Sequence, residues 1–218
     1  MLLVKFTKRY PASFMAHLDI LRSFLRGFVR AGIKVKRSEG FNPHALVYFT
    51  PPLPLSVASD AEYMCVETDI EPNEFFEIFK TQTVKGIDIV SVHKLQKNPN
   101  IAGIVTYSDY FVEVNLTDKQ KAIIESVMAS SSIVIEYEQK NKIVQKDVRD
   151  CVALMECRDN GLFLRLTSGN NNLRVDRLLN GIKELNLEFN LYDVIRKEQY
   201  TGELDKLIPL YCLEDYEK

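Results

Sequence analysis

Over the first 95 residues the spacing of apolar side chains switches between a two-residue and a helical period, and the order of those switches restricts the fold most. Val4 and Phe6 alternate with Lys5 and Thr7, which predicts a strand over 2–7. Leu18, Leu21, Phe24, Leu25 and Phe28 recur at helical spacing, so a core-facing helix is expected from Phe14 or His17 to Ala31, stopped by Gly32. A short strand is read at Ile33–Lys36 and another at Ala45–Thr50, before Pro51, Pro52 and Pro54 break the pattern. A strand near Glu62–Thr68, a helix near Pro72–Lys80 and a strand near Ile87–His93 complete the set. This is the β-α-β-β-α-β order of a ferredoxin-like unit.

Residues 96–103 read as a linker, and a second series begins after them. It holds a strand over 105–115, a helix capped by Thr117, a strand at 133–138, a hairpin turning at Asp159-Asn160-Gly161, a helix at 174–185 and a strand at 192–197. The expected architecture is α+β: two ferredoxin-like halves, 1–95 and 104–218, the second with an extra strand around Lys142–Val148. Ser168–Asn172 looks like a phosphate loop but lacks the Gly-Lys-Ser/Thr of a P-loop, so it reads as a flexible surface turn.

Charge separates the halves. The formal net charge of −2 speaks against a polyanion partner, yet residues 1–50 hold nine basic side chains against two acids. The remaining residues hold nineteen against twenty-eight, so one basic segment precedes an acidic remainder. No run of about 18 apolar residues exists to span a membrane, and Met1–Val4 is too short for a signal-peptide core. The four cysteines fit neither a disulfide framework nor a metal-ligand spacing. A reduced cytoplasmic protein with no metal and no cofactor is expected.

The basic segment carries the candidate site. Arg22, Arg26 and Arg30 recur every four residues and form a stripe on the helix face opposite the apolar one, followed by Lys34, Lys36 and Arg37. Guanidinium forks and ammonium groups suit phosphate oxygens. Gly40 permits close backbone approach, Phe41 offers a stacking surface for an unpaired base, and Asn42 and His44 can hydrogen-bond a base or phosphate. Asp19, Gly40 and Pro43 are read as orienting residues. The competing structural account has Arg22 paired with Asp19, Phe41 plugging the core and the loop merely turning the chain. His17 and His44 also invite an acid/base reading, because imidazoles titrate near neutrality and two could cleave RNA at a 2′-hydroxyl without a metal.

Three blocks carry a family resemblance: Phe14-x-x-His17-Leu18-Asp19-x-x-Arg22-x-x-x-Arg26, then Ser38-x-Gly40-Phe41-Asn42-Pro43-His44, then Pro-Leu-Pro-Leu and Glu-Tyr within Leu53–Tyr63. On them the chain resembles a bacterial family of radical-SAM-linked proteins of unknown function. Members stand alone or are fused behind a radical S-adenosylmethionine domain, and their genomic company implies RNA metabolism. This chain lacks the Cys-x-x-x-Cys-x-x-Cys run that such radical chemistry requires, so the resemblance implies a companion to the radical enzyme. Three positions depart from the family pattern: Ala16 stands where Ser usually caps the helix, Ser56 where Gly follows Leu-Pro-Leu, and Tyr10 where the early loop has Gly.

The expectation drawn from these features is an RNA-binding accessory protein working with a radical S-adenosylmethionine enzyme in RNA or ribosome-related modification. Two alternatives stay open. One is a metal-independent ribonuclease or RNA-modifying enzyme using His17 and His44. The other is a module docking onto a radical SAM protein through Phe41 and the proline-rich turn.

Overall fold

The computed structural model describes residues 1–139 and 142–213; positions 214–218 of the expected second half lie outside them. The chain begins with β1 (Leu2–Lys8), α1 (His17–Arg30), β2 (Val47–Phe49), β3 (Ala58–Val66), α2 (Pro72–Phe79) and β4 (Ile89–Lys94). It continues with β5 (Tyr107–Glu113), α3 (Asp118–Ala129), β6 (Val134–Gln139), β7 (Lys142–Asp147), β8 (Val152–Arg158), β9 (Gly161–Thr167), α4 (Val175–Gly181), β10 (Val194–Thr201) and β11 (Ile208–Pro209). The class is mixed α+β.

Nine strands form one sheet, ordered β4-β1-β3-β10-β5-β9-β8, with β2 on β3 and β11 on β10. β1 lies between β4 and β3, and β5 between β10 and β9, all four pairs antiparallel. The two segments meet where β3 and β10 run parallel, through Ala58↔Ile195 and Ser59↔Arg196. β6 and β7 form a separate hairpin inserted before β8. No described helix is long and apolar enough to cross a membrane.

The alternation read in β1 sends Leu2, Val4 and Phe6 to one face, where they meet Phe24, Phe28, Phe75 and Phe79 from α1 and α2. Rings of Phe24, Phe28 and Phe79 stack or meet edge-on at 4.6–6.4 Å between centroids, a geometry that adds to the area they bury. A second cluster of Val112, Leu162, Leu164, Leu166, Leu178 and Leu179 fills the space under α3 and α4. On the opposite face of β1 and β3, Leu3, Ala61, Tyr63 and Cys65 pack against Leu95, Ile101, Val105 and Leu210. The stretch read as a linker therefore covers the sheet through Ile101 and does not hang free.

Several local expectations change. Leu18 is 59% exposed, whereas Ile20 is buried. Two residues apart on a helix means about 160° between side chains, so only one of them can face the sheet. Ile33–Lys36 forms no ladder; Lys36 N–H donates to the Glu67 carbonyl and a single bridge joins Arg37 to Ala45. The turn at 168–172 is anchored: buried Ser168 hydrogen-bonds Ser108 at 2.7 Å, and the Thr167 hydroxyl donates to the Asn171 carbonyl.

Candidate nucleic-acid interface

α1 ends as its sequence dictates. Gly32 takes a left-handed φ of +68°, its N–H donates to the Val29 carbonyl and that of Ile33 to the Phe28 carbonyl, closing a Schellman turn. The start is different. Ala16 occupies the N-cap with no side-chain hydrogen bond, and among the described residues the His17 and Leu18 amides have no acceptor. Ser13 does not begin the helix early; it is buried in a single 3₁₀ turn, where its carbonyl accepts from Ser56 N–H. Ser56 itself sits at φ +70°, the left-handed region that favours glycine.

The basic stripe reaches solvent but is partly engaged. Arg22 pairs with Asp19 at 3.0 Å across one turn, as the structural account expected. Arg30 donates to the Gln82 carbonyl at 2.6 Å, and Arg37 to the Pro43 carbonyl at 2.9 Å. Lys36 lies 3.4 Å from both Glu67 and Asp69; hydrogen bonding to Glu67 and the nearby Asp69 charge raise its pKa. Arg26 and Lys34 are exposed and have no ion-pair or side-chain hydrogen-bond partner among the described residues.

The 38–44 loop is braced from within. Ser38 N–H donates to the His44 carbonyl, His44 N–H to the Ser38 hydroxyl, and that hydroxyl lies 2.8 Å from His44 Nδ1. Gly40 takes φ +118°. Phe41 is fully exposed, which removes the idea that it plugs the core; Asn42 and Pro43 are exposed beside it. His44 thus fastens the loop that presents Phe41.

His17 and His44 have separate partners among the described residues. The His17 ring packs edge-on against Phe49 at 5.2 Å, while His44 is tied to Ser38 within its own loop. A shared proton transfer would need the two imidazoles within a hydrogen bond or one water of each other. His17 has other neighbours. Burial lowers its pKa; the Glu62 carboxylate opposes that shift and the Lys8 ammonium adds to it.

The sequence reading passed over two features here. Lys8 ends β1 and is 3% exposed; its ammonium makes no ion pair or hydrogen bond among the described residues and keeps its small contact with solvent. The signal was available, because continuing the Leu2-Val4-Phe6 alternation by one step puts Lys8 on the buried face. Tyr10 and Phe14, in the loop leading into α1, are exposed with their rings 6.1 Å apart. Their only sequence signal is two large aromatics next to Pro11 in a stretch with no apolar period.

The fold and this surface define an α+β protein with an exposed basic helix, a braced aromatic loop and no group of three His, Cys, Asp or Glu among the described residues able to hold a metal. The chain belongs to a bacterial family, described as an uncharacterized protein conserved in bacteria (DUF2344), whose model matches residues 1–184. No curated protein matches it. The matched span contains α1, the 38–44 loop and the proline run.

Proposed function

We propose that this protein binds single-stranded or structured RNA through α1 and the 38–44 loop, as an accessory to a radical S-adenosylmethionine enzyme in RNA or ribosome-related modification. The observation that carries the RNA reading is Phe41, a bare aromatic ring on a loop fastened by Ser38 and His44. A rigid aromatic loses little freedom when a base stacks on it, and such stacking is worth about 1–3 kcal/mol per base. Exposed Arg26 and Lys34 supply uncommitted cations for phosphates. The radical SAM partner rests on the resemblance in the His17-Leu18-Asp19 and Gly40–His44 blocks.

Fluorescence anisotropy with labelled single-stranded RNA tests this reading. Affinity should fall as salt rises, and Arg26→Ala or Lys34→Ala should each reduce the log–log slope by about one. Phe41→Ala should weaken binding with the slope unchanged. Absence of binding at low salt rejects the RNA reading. Association with the radical SAM enzyme should survive RNase treatment.

A further inference from the structure

Of the three sequence blocks that carry the family resemblance, the proline run takes no part in the surface of α1 and the 38–44 loop. Pro51, Pro52, Leu53 and Pro54 follow β2 and wall one side of a cavity of about 240 Å³. Tyr110 from β5, Arg196 from β10 and Asn172, Arg174 and Val175 from the segment entering α4 complete it. Arg196 belongs to the parallel pairing of β10 with β3, so the cavity opens where the two segments of the chain join. Pockets for drug-sized ligands run to about 300–1,000 Å³, so this one suits a single ring system.

The walls and the polar groups offer different chemistry. Proline rings carry no N–H, and the Pro51 carbonyl already accepts from Nη1 of Arg196 at 3.2 Å. Arg174 is held at the rim by Asp176, at 3.0 and 2.7 Å. Tyr110 is the partner of Arg196 across the β5–β10 ladder, so both side chains leave the sheet on one face. Arg196 is 2% exposed, and its bonds to Glu62 and Pro51 leave one hydrogen on each terminal nitrogen. The Tyr110 hydroxyl faces this guanidinium as an acceptor, which leaves its own proton to donate elsewhere. Exposed Asn172 adds an amide at the mouth.

We propose that this cavity is a base pocket for a guanine of an RNA strand, with O6 and N7 facing Arg196 and Tyr110 and the ring faces against the prolines. The interior presents N–H and O–H donors side by side, and guanine is the base whose major-groove edge presents two adjacent acceptors. Adenine sets an amino donor beside N7 and cytosine presents an amino donor, so each leaves a buried donor without an acceptor. Uracil offers only O4 on that edge. A compact phosphate gains the donors but leaves the apolar walls unused. The assignment to RNA rests on the function proposed above; the guanine pocket itself does not.

Calorimetry and saturation-transfer NMR with guanosine 5′-monophosphate (GMP) test the pocket. GMP should bind saturably, with the adenine (AMP), cytosine and uracil monophosphates and ribose 5-phosphate weaker by about tenfold or more. Tyr110→Phe keeps the ring, removes the hydroxyl and should weaken GMP about tenfold. Asn172→Leu, at an exposed position, should weaken it about threefold, so the test stands if Tyr110→Phe does not fold. Phe41→Ala should leave GMP affinity unchanged.

Absence of saturable GMP binding overturns the pocket, even if anisotropy shows RNA binding through Arg26, Lys34 and Phe41. Equal affinity for AMP overturns the guanine assignment, and equal affinity for ribose 5-phosphate reveals an anion site that reads no base. GMP affinity unchanged by both Tyr110→Phe and Asn172→Leu places the nucleotide elsewhere and overturns the pocket too. GMP binding with no RNA binding at low salt overturns the assignment to RNA alone.

Discussion

At the scale of single residues, this protein uses the same side-chain types for opposite purposes. Arg22 and Arg30 look alike in sequence to Arg26, yet one is held by Asp19 and the other by the Gln82 carbonyl. His44 is a fastener and His17 a half-buried group beside Lys8 and Glu62. His17 makes a pH prediction. Its folded pKa lies below the ordinary 6.5, chiefly through burial, so the unfolded chain binds the proton more tightly. The His17 contribution is complete above the unfolded value and is lost as pH falls through the folded one. Denaturant titrations in phosphate-free buffer should show wild type losing more stability than His17→Asn between about pH 7 and about pH 5. Parallel pH profiles for the two proteins would refute it. The Arg22–Asp19 pair was legible as an i, i+3 spacing, whereas the environments of Arg30 and His17 were not, because they depend on Gln82 and Glu62, dozens of residues away.

At the scale of elements, the helix starts differ most. α3 begins with a complete capping box: the Thr117 hydroxyl accepts from Gln120 N–H and the Gln120 side chain accepts from Thr117 N–H at 3.0 Å. α1 begins with Ala16 and nothing in that role. Thr117→Ala should cost about 1 kcal/mol in urea unfolding, and Ala16→Asp should gain about the same. A neutral outcome for Ala16→Asp would mean that the free amides are already satisfied in solution. The sequence located both helices and named Thr117 as a cap, because capping and periodicity are local rules. It placed Leu18 in the core wrongly, since a helical stripe defines an apolar side but not how far each turn overlaps the sheet.

At the scale of the whole molecule, the junction between β3 and β10 governs cohesion. Arg196 is 2% exposed and is satisfied by Glu62 and the Pro51 carbonyl. Lys5 and the Tyr63 hydroxyl both donate to Glu198, at 2.6 and 2.5 Å, and buried Gln199 donates to the Ala61 carbonyl. A sheet continuous through this point should unfold in one transition seen alike by tyrosine fluorescence and far-ultraviolet circular dichroism. Glu62→Ala strands a buried guanidinium and should cost about 3–5 kcal/mol in denaturant unfolding. A loss within the range of an exposed substitution would show that Arg196 finds another acceptor or water.

Sequence alone determined the four helices and most of the strands, the cap at Thr117, the stop at Gly32 and the concentration of positive charge before residue 50. These follow from backbone preferences and side-chain period, which act over a few residues. Only the tertiary structure decided that His17 packs on Phe49 while His44 ties to Ser38, that Arg26 and Lys34 remain uncommitted and that Lys8 lies buried near Glu62 and Arg196. Those outcomes depend on which strands become neighbours. Hydrogen-bond pairing between β1, β3 and β10 brings Lys8, Glu62 and Arg196 together across nearly the full length of the chain.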